Sequence, residues 1–102
     1  MGDQGNNLPT TARSLRARAV LELLDAQSGW GEVYLPALLR AHGVPIPRAD
    51  LSAILDDLAR AGLVEIDVTE LGVRIPSLSS AGAEVLEGIV RIDWIPARPL
   101  TS

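Results

Sequence analysis

Two pairs of carboxylates have the spacing that first suggests chemistry in this chain. Asp56 and Asp57 are neighbours, and helical neighbours point about 100° apart, so they cannot serve one substrate atom as acid and base. Glu84 and Glu87 lie one helical turn apart but have no third ligand near them. The sequence has no cysteine and one histidine, His42, which precedes a glycine and is expected at a helix end. We therefore expect no enzymatic activity, no metal and no cofactor.

The basic residues are all arginines, and they are the side chains able to hold phosphate. Arg40 ends the second predicted helix and Arg48 opens the third, so both are placed to contact a DNA backbone beside the third helix. The alternative is that Arg40 stabilises its own helix end and that Arg48 pairs with Asp50 or Asp56. Both interpretations stay open at this point.

A second basic cluster lies on the first predicted helix, at Arg13, Arg16 and Arg18. It is able to touch a DNA backbone, but an ordinary solvated face with an Arg18 to Glu22 pair at i, i+4 is the simpler interpretation. The candidate DNA-contacting residues are Arg13, Arg16, Arg40, Arg48, Ser52 and Arg60.

Length and charge limit the function further. The 102 residues suffice for one domain, and the net charge of −4 weakens the case for tight binding to a polyanion. The longest apolar runs fall far short of the roughly 20 residues that span a bilayer, and the start lacks the pattern of a secretory signal. We expect a cytoplasmic protein with no membrane partner.

The stretch from Pro47 to Val64 predicts a helix that stops at a glycine and leads into a strand. Its apolar residues recur at i, i+3, i+4 and i+7 and form one buried stripe. They are Leu51, Ile54, Leu55 and Leu58. Gly62 stands where a helix ends with a left-handed residue. The outward face then carries Ala49, Ser52, Ala53, Asp56 and Arg60, with Asp50 and Asp57 on its flanks, which is an acidic face for a DNA reader.

Two helices are predicted before this segment. The first begins at Thr10 or Thr11 and runs to about Gln27. The second runs from Val33 or Tyr34 to His42, with Pro36 tolerated in its first turn and Gly43 ending it.

A hairpin and a fourth helix are predicted after it. Val64, Ile66 and Val68 alternate with acidic residues as in a half-buried strand, and Val73 to Ile75 form the return strand, which Pro76 ends. The hairpin tip is acidic, unlike a strand that enters a DNA groove. Ser79 caps a fourth helix that extends to about Val90.

The first helix is apolar over a wider arc than one core contact requires. Val20, Leu21 and Leu24 extend that arc. We therefore predict a homodimer whose interface includes these three residues.

The element order from Leu15 to Trp94 resembles a winged helix-turn-helix domain. It is similar to bacterial regulators of the arsenic-repressor type, and more closely to small winged-helix proteins of Mu-like transposable phages. The stretches LLRAHGVPIPRADL (38–51) and LDDLARAGLV (55–64) carry the resemblance. Members of that phage group have a serine where this chain has Pro47, which removes a side-chain cap from the third helix.

The resemblance implies a mainly α fold with a small β-hairpin (α+β), in the order helix-helix-helix-strand-strand-helix. We expect a disordered arm over 1–9, the winged helix domain over 10–91 and an extended tail over 92–102. Two functions remain open. One is a phage or prophage DNA-binding regulator of transcription that binds double-stranded DNA. The other is an acidic winged-helix module that binds a protein, such as a phage adaptor or an inhibitor of a host protein, without contacting DNA.

Overall fold

The computed structural model describes the backbone of residues 3–88 and the side chains of residues 12–88. Four helices and one hairpin follow in the order predicted from the sequence. They are α1 (Asp3–Ala26), α2 (Leu35–Ala41), α3 (Arg48–Arg60), β1 (Val64–Val68), β2 (Arg74–Leu78) and α4 (Ser80–Glu87), with a 3₁₀ turn over Glu32–Tyr34 before α2. No helix within this described part has the length and apolar character needed to cross a bilayer. The predicted tail, 92–102, lies outside the described residues.

Helix α1 begins earlier than the sequence predicts. Its backbone is helical from Asp3, whereas the pattern placed the start at Thr10 or Thr11 and a disordered arm before it. The pattern marks the start of the apolar stripe, but a helix that has nucleated extends by one backbone hydrogen bond per residue without needing apolar side chains. The division of the chain after residues 9 and 91 stays a prediction.

Helix α3 follows the predicted stripe closely. Its four stripe residues are 0 to 3% exposed, so the helix is oriented as its periodicity indicates. Pro47 precedes it without a side-chain cap, as the missing serine implies. Gly62 adopts a φ of +79°, a left-handed conformation that glycine adopts without a steric penalty, and α3 ends two residues before it.

The wide apolar arc of α1 is buried in the core of the single chain. Val20 and Leu21 are fully buried and Leu24 is 3% exposed, all within one core shared with α2, α3, β1 and α4. These three residues therefore have no surface to offer a second copy, and the assignment of the dimer interface to them is corrected. The arc is wide because α1 contacts α2, α3, β2 and α4 together. Homodimer formation itself stays a prediction.

The connection from α1 to α2 differs in detail from the prediction. Residues Glu32–Tyr34 form a 3₁₀ turn, so that α2 proper starts at Leu35, and Pro36 lies in its first turn as predicted. His42 is the C-cap residue, and Gly43 follows with a φ of +81°. The predicted role of His42 at a helix end is therefore confirmed.

The hairpin pairs β1 with β2 in antiparallel register, with Ile66 opposite Pro76. The expectation that Pro76 ends the return strand is wrong, because Pro76 is buried in the middle of β2. Thr69 donates its backbone N–H to the carbonyl of Val73 at 2.9 Å, which makes these two residues a hydrogen-bonded pair. Hydrogen-bonded and non-hydrogen-bonded pairs alternate along an antiparallel ladder, so Pro76 falls at a non-hydrogen-bonded position. A two-stranded sheet has two edge strands, so a proline whose nitrogen faces away from the partner costs no bond.

Ser79 joins the hairpin to α4. Its Oγ accepts a hydrogen bond from the Gly82 N–H at 3.1 Å, which confirms the predicted N-cap. The same hydroxyl donates to the Gly62 carbonyl at 2.7 Å, and the Ser79 N–H donates to the Leu63 carbonyl at 3.1 Å. Helix α4 ends at Glu87, before the predicted Val90, because Gly88 takes a φ of +83°.

Candidate nucleic-acid interface

Helix α1 supplies two arginines to the outward face of α3. Arg13 forms an ion pair with Asp57, and Arg16 Nη1 lies 3.3 Å from Asp50 Oδ2. A surface cavity of about 270 Å³ opens between them and is lined also by Ala53 and Ile54. The sequence predicted both arginines as DNA-backbone contacts. The structure places them at the outward face of α3, where each is already paired with a carboxylate.

The last turn of α3 adds a third arginine to the same group. Arg60 Nη1 lies 3.1 Å from Asp57 Oδ1, one turn away, so Arg13 and Arg60 share one carboxylate. Arg60 remains mostly exposed, and an exposed pair of this kind contributes only about 0 to 1 kcal/mol. Its guanidinium is therefore free to exchange Asp57 for another anion. Ser52, the candidate polar reader, is half-buried on the same helix.

Arg74 at the start of β2 belongs to the candidate site, although the sequence did not single it out. Its Nη2 donates to Asp56 Oδ1 at 2.8 Å, and its Nε lies 2.8 Å from Glu32 Oε1. The hydrogen bond to Asp56 is the largest cause of a raised pKa for Arg74. One arginine thus ties the hairpin to α3 and to the 3₁₀ turn. The alternation of side chains along a strand could have indicated this placement of Arg74, because it puts Arg74 on the same face of β2 as Pro76 and Leu78.

The side chains of Arg40 and Arg48 form no ion pair or hydrogen bond among the residues that the structure describes. Both are exposed, Arg40 in the last turn of α2 and Arg48 in the first turn of α3. The alternative in which Arg48 pairs with Asp50 or Asp56 is wrong, because Arg48 forms no ion pair within residues 12–88. Asp50 pairs with Arg16 and Asp56 with Arg74.

Arg48 also lines a second cavity, of about 210 Å³, between the start of α3 and the hairpin turn. Glu32, Leu51, Val73 and Arg74 are among its other walls. Two guanidinium groups therefore border one surface opening, and the positive charge of Arg48 is not offset by a bound carboxylate. This opening is wide enough to admit a small anionic group.

Arg18 belongs to the core side of α1. Its Nε lies 3.0 Å from Glu22 Oε2, which confirms the predicted i, i+4 pair, but the residue is only 8% exposed and is no part of a solvated face. Glu84 and Glu87 lie on α4, and no three side chains of the metal-ligating kinds come together within residues 12–88.

The charge of α3 is therefore balanced locally. Asp50, Asp56 and Asp57 each have at least one arginine partner. Of these four arginines, two come from α1, one from the hairpin and one, Arg60, from α3 itself. The sequence predicted an acidic outward face that repels phosphate. On the folded surface these carboxylates are instead paired with arginines, and Arg48 at the start of α3 is an exposed arginine without a carboxylate partner among the described residues.

Three helices with a hairpin and a closing helix, with α3 exposed along one face, define a winged helix-turn-helix fold. A solved structure with this fold is that of hsRosR-S4, described as a complex structure; it superposes with a TM-score of 0.58 at 23% sequence identity and covers 82% of this chain and 83% of that chain. This likeness shows the fold. No protein-family model matches the chain, and no curated protein matches it significantly.

Proposed function

We propose that this chain is a cytoplasmic DNA-binding regulator of transcription, of a phage or prophage type, that uses α3 as its recognition helix. The observation that carries the proposal is the pair Arg40 and Arg48. They are the two arginines without a carboxylate partner in the described part of the chain, and they stand on either side of the turn between α2 and α3. In a helix-turn-helix, that turn lies beside the groove that the recognition helix enters.

Each arginine has a distinct role in this proposal. Arg40 and Arg48 hold phosphates and set the orientation of α3, because backbone contacts fix register without reading sequence. Ser52 and Arg60 face the base edges, where an arginine released from Asp57 is able to pair with guanine. Arg13 and Arg16 contact the backbone only if they exchange their carboxylates for phosphate.

Replacement of Arg48 by alanine is expected to weaken binding to double-stranded DNA. A hydrogen bond to a charged group contributes about 1.5 to 3 kcal/mol, so we expect a loss of at least about tenfold in affinity at low salt. The slope of log affinity against log salt should also fall by about 0.9, the value for one phosphate. Titration of mixed genomic DNA, followed by anisotropy at several salt concentrations, measures both.

The matched control is Arg48→Lys, which keeps the charge and should retain most of the non-specific affinity. Absence of any DNA binding by the parent chain at about 50 mM salt contradicts the proposal, because even non-specific binding is strong under those conditions.

Replacement of Asp56 by asparagine is expected to strengthen DNA binding by about two- to tenfold. The change removes a carboxylate from the outward face of α3 and releases one of the two ion pairs of Arg74, so the local positive charge rises. The same titration measures the affinity, and a urea melt confirms that the variant is folded. Asp25→Asn is the matched control, because it removes an exposed carboxylate of α1 that has no ion pair among the described residues.

A weaker affinity for DNA in Asp56→Asn would count against α3 as the DNA surface. A module that binds a basic protein through α3 gives the opposite sign, since Asp56 is then an attractive contact. Homodimer formation is a further part of the proposal, with an interface that excludes the buried Val20, Leu21 and Leu24.

A further inference from the structure

A patch of apolar side chains lies exposed where the 3₁₀ turn meets the hairpin. We call it the wing patch; its members are Trp30, Val33, Tyr34, Leu71 and Val73, which are 40 to 92% exposed. The rings of Trp30 and Tyr34 meet edge to face with centroids 5.7 Å apart. A Cβ placed on Gly31 would lie 3.1 Å from Val73 and 3.9 Å from Tyr34, so the turn and the hairpin are in contact and the patch is continuous there.

The tip of the hairpin is held in shape by hydrogen bonds between residues close in sequence. Thr69 Oγ1 accepts from the Val73 N–H at 3.1 Å, and the Gly72 N–H donates to the Thr69 carbonyl at 2.9 Å. Leu71 lies inside this closed turn and is 92% exposed. A single exposed leucine is ordinary on a protein surface, but an exposed leucine beside further exposed apolar side chains is a feature of interaction surfaces.

The hairpin that carries Leu71 and Val73 has charges unlike those on α3, and Arg48 of α3 borders the wing patch at one side. Glu65, Asp67 and Glu70 are exposed, and none of them has an ion-pair partner among the described residues. On α3, by contrast, every carboxylate is neutralised by an arginine. Arg74, the basic residue of the hairpin, is already held by Asp56 and Glu32. The hairpin therefore presents uncompensated negative charge next to exposed apolar groups.

We propose that the wing patch binds a basic protein segment that carries an apolar side chain flanked by lysine or arginine. The carboxylates attract such a segment, Leu71 and Val73 receive its apolar side chain, and the faces of Trp30 and Tyr34 favour a nearby cation. The same charge repels nucleic acid. It also disfavours a second copy of this chain in a two-fold contact, because identical carboxylates would face each other.

This inference goes beyond DNA binding and does not rest on it. The two surfaces adjoin at the cavity that Arg48 and Val73 both line, but they use different residues. Arg40 and Arg48 flank the turn before α3, whereas the binding residues here lie on the 3₁₀ turn and the hairpin. A chain that holds DNA through α3 and a basic protein through its hairpin would bring the two together. DNA binding and peptide binding are measured with different probes, so failure of one is distinguishable from failure of the other.

The test uses the full chain with Trp94→Phe, which leaves Trp30 as its single tryptophan. Three synthetic peptides serve as probes, namely an alternating lysine and leucine peptide, the same peptide with glutamate for lysine, and the same peptide with serine for leucine. We expect the first to shift the emission of Trp30 and to bind at least about tenfold more tightly than the other two. Equal binding of the lysine and glutamate peptides, or no binding of the first, overturns the proposal.

Variants locate the binding to the wing patch. Leu71→Ser and Glu70→Gln should each weaken binding of the lysine and leucine peptide by about fivefold or more. Neither change should weaken DNA binding, and Glu70→Gln removes a charge that repels DNA. Glu84→Gln on α4 removes the same charge outside the patch and should have little effect. Equal losses in Glu70→Gln and Glu84→Gln would show attraction by total charge alone and overturn the proposal. A matching loss of DNA affinity in Leu71→Ser would assign the patch to DNA and would also overturn it.

Discussion

Leu55→Ala is expected to lower the free energy of unfolding by about 2 to 5 kcal/mol, the range for a buried leucine truncated in a packed core. Leu55 is fully buried in the middle of the α3 stripe, inside the core that α3 shares with α1, β1 and α4. The removed side chain leaves a cavity that the neighbouring helices fill only in part. Urea unfolding followed by far-UV circular dichroism measures the loss from the shift in midpoint at constant slope.

Leu71→Ala is the matched control for this experiment, because it deletes the same atoms from a side chain that is 92% exposed. Its effect should stay within about 0.5 kcal/mol, as for most surface changes. If the two alanine variants lost similar amounts of stability, the orientation of α3 would be wrong and the outward face would have to be reassigned.

Gly82→Ala is expected to destabilise the fold by about 1 to 3 kcal/mol, although alanine is the better helix former. A Cβ at this position would lie 2.3 Å from the Leu63 carbonyl oxygen and 2.6 Å from Leu78 Cδ1. The carbonyl oxygen belongs to the backbone and accepts the Ser79 N–H, so it cannot move aside without loss of that bond. Thermal or urea unfolding tests this contact between α4 and the chain just before β1.

Gly31→Ala provides the comparison for the added methyl group. There the nearest atom is Val73 Cγ1 at 3.1 Å, the end of a half-exposed side chain that can rotate. We expect a change of less than about 1 kcal/mol. A larger loss at Gly31 than at Gly82 would contradict the close approach of α4 to Leu63.

The parts of the fold that were predictable from sequence are those with local causes. The α3 stripe, its end before Gly62 and the Ser79 cap each depend on side chains within one or two turns, and the structure confirms all three. Pro76 was misplaced because its tolerance depends on which side of β2 faces β1, and that follows only from the register. The early start of α1 had no apolar pattern to mark it.

The candidate site was predictable as a set of residue types and not as a set of contacts. Arg13 and Arg16 meet Asp57 and Asp50, which lie more than 30 positions away in the chain. No local rule connects residues at that separation. For the same reason, the acidity of α3 was visible in the sequence while its neutralisation was not. Arg48 is exposed, and the two carboxylates that one interpretation assigned to it pair with Arg16 and Arg74 instead.

The hydrogen bonds of Ser79 make the two ends of the hairpin unequal in how much change they tolerate. At the base, one residue connects Gly62, Leu63 and the start of α4 through three hydrogen bonds, so an insertion there would separate several elements at once. At the tip, the turn around Leu71 makes only local hydrogen bonds within the part of the chain that the structure describes. Relatives of this chain should therefore differ in length at the hairpin tip, while the residues at the base of the hairpin, around Gly62 and Ser79, stay in the same arrangement. Such variation would change what the tip binds and leave the fold of the domain unchanged.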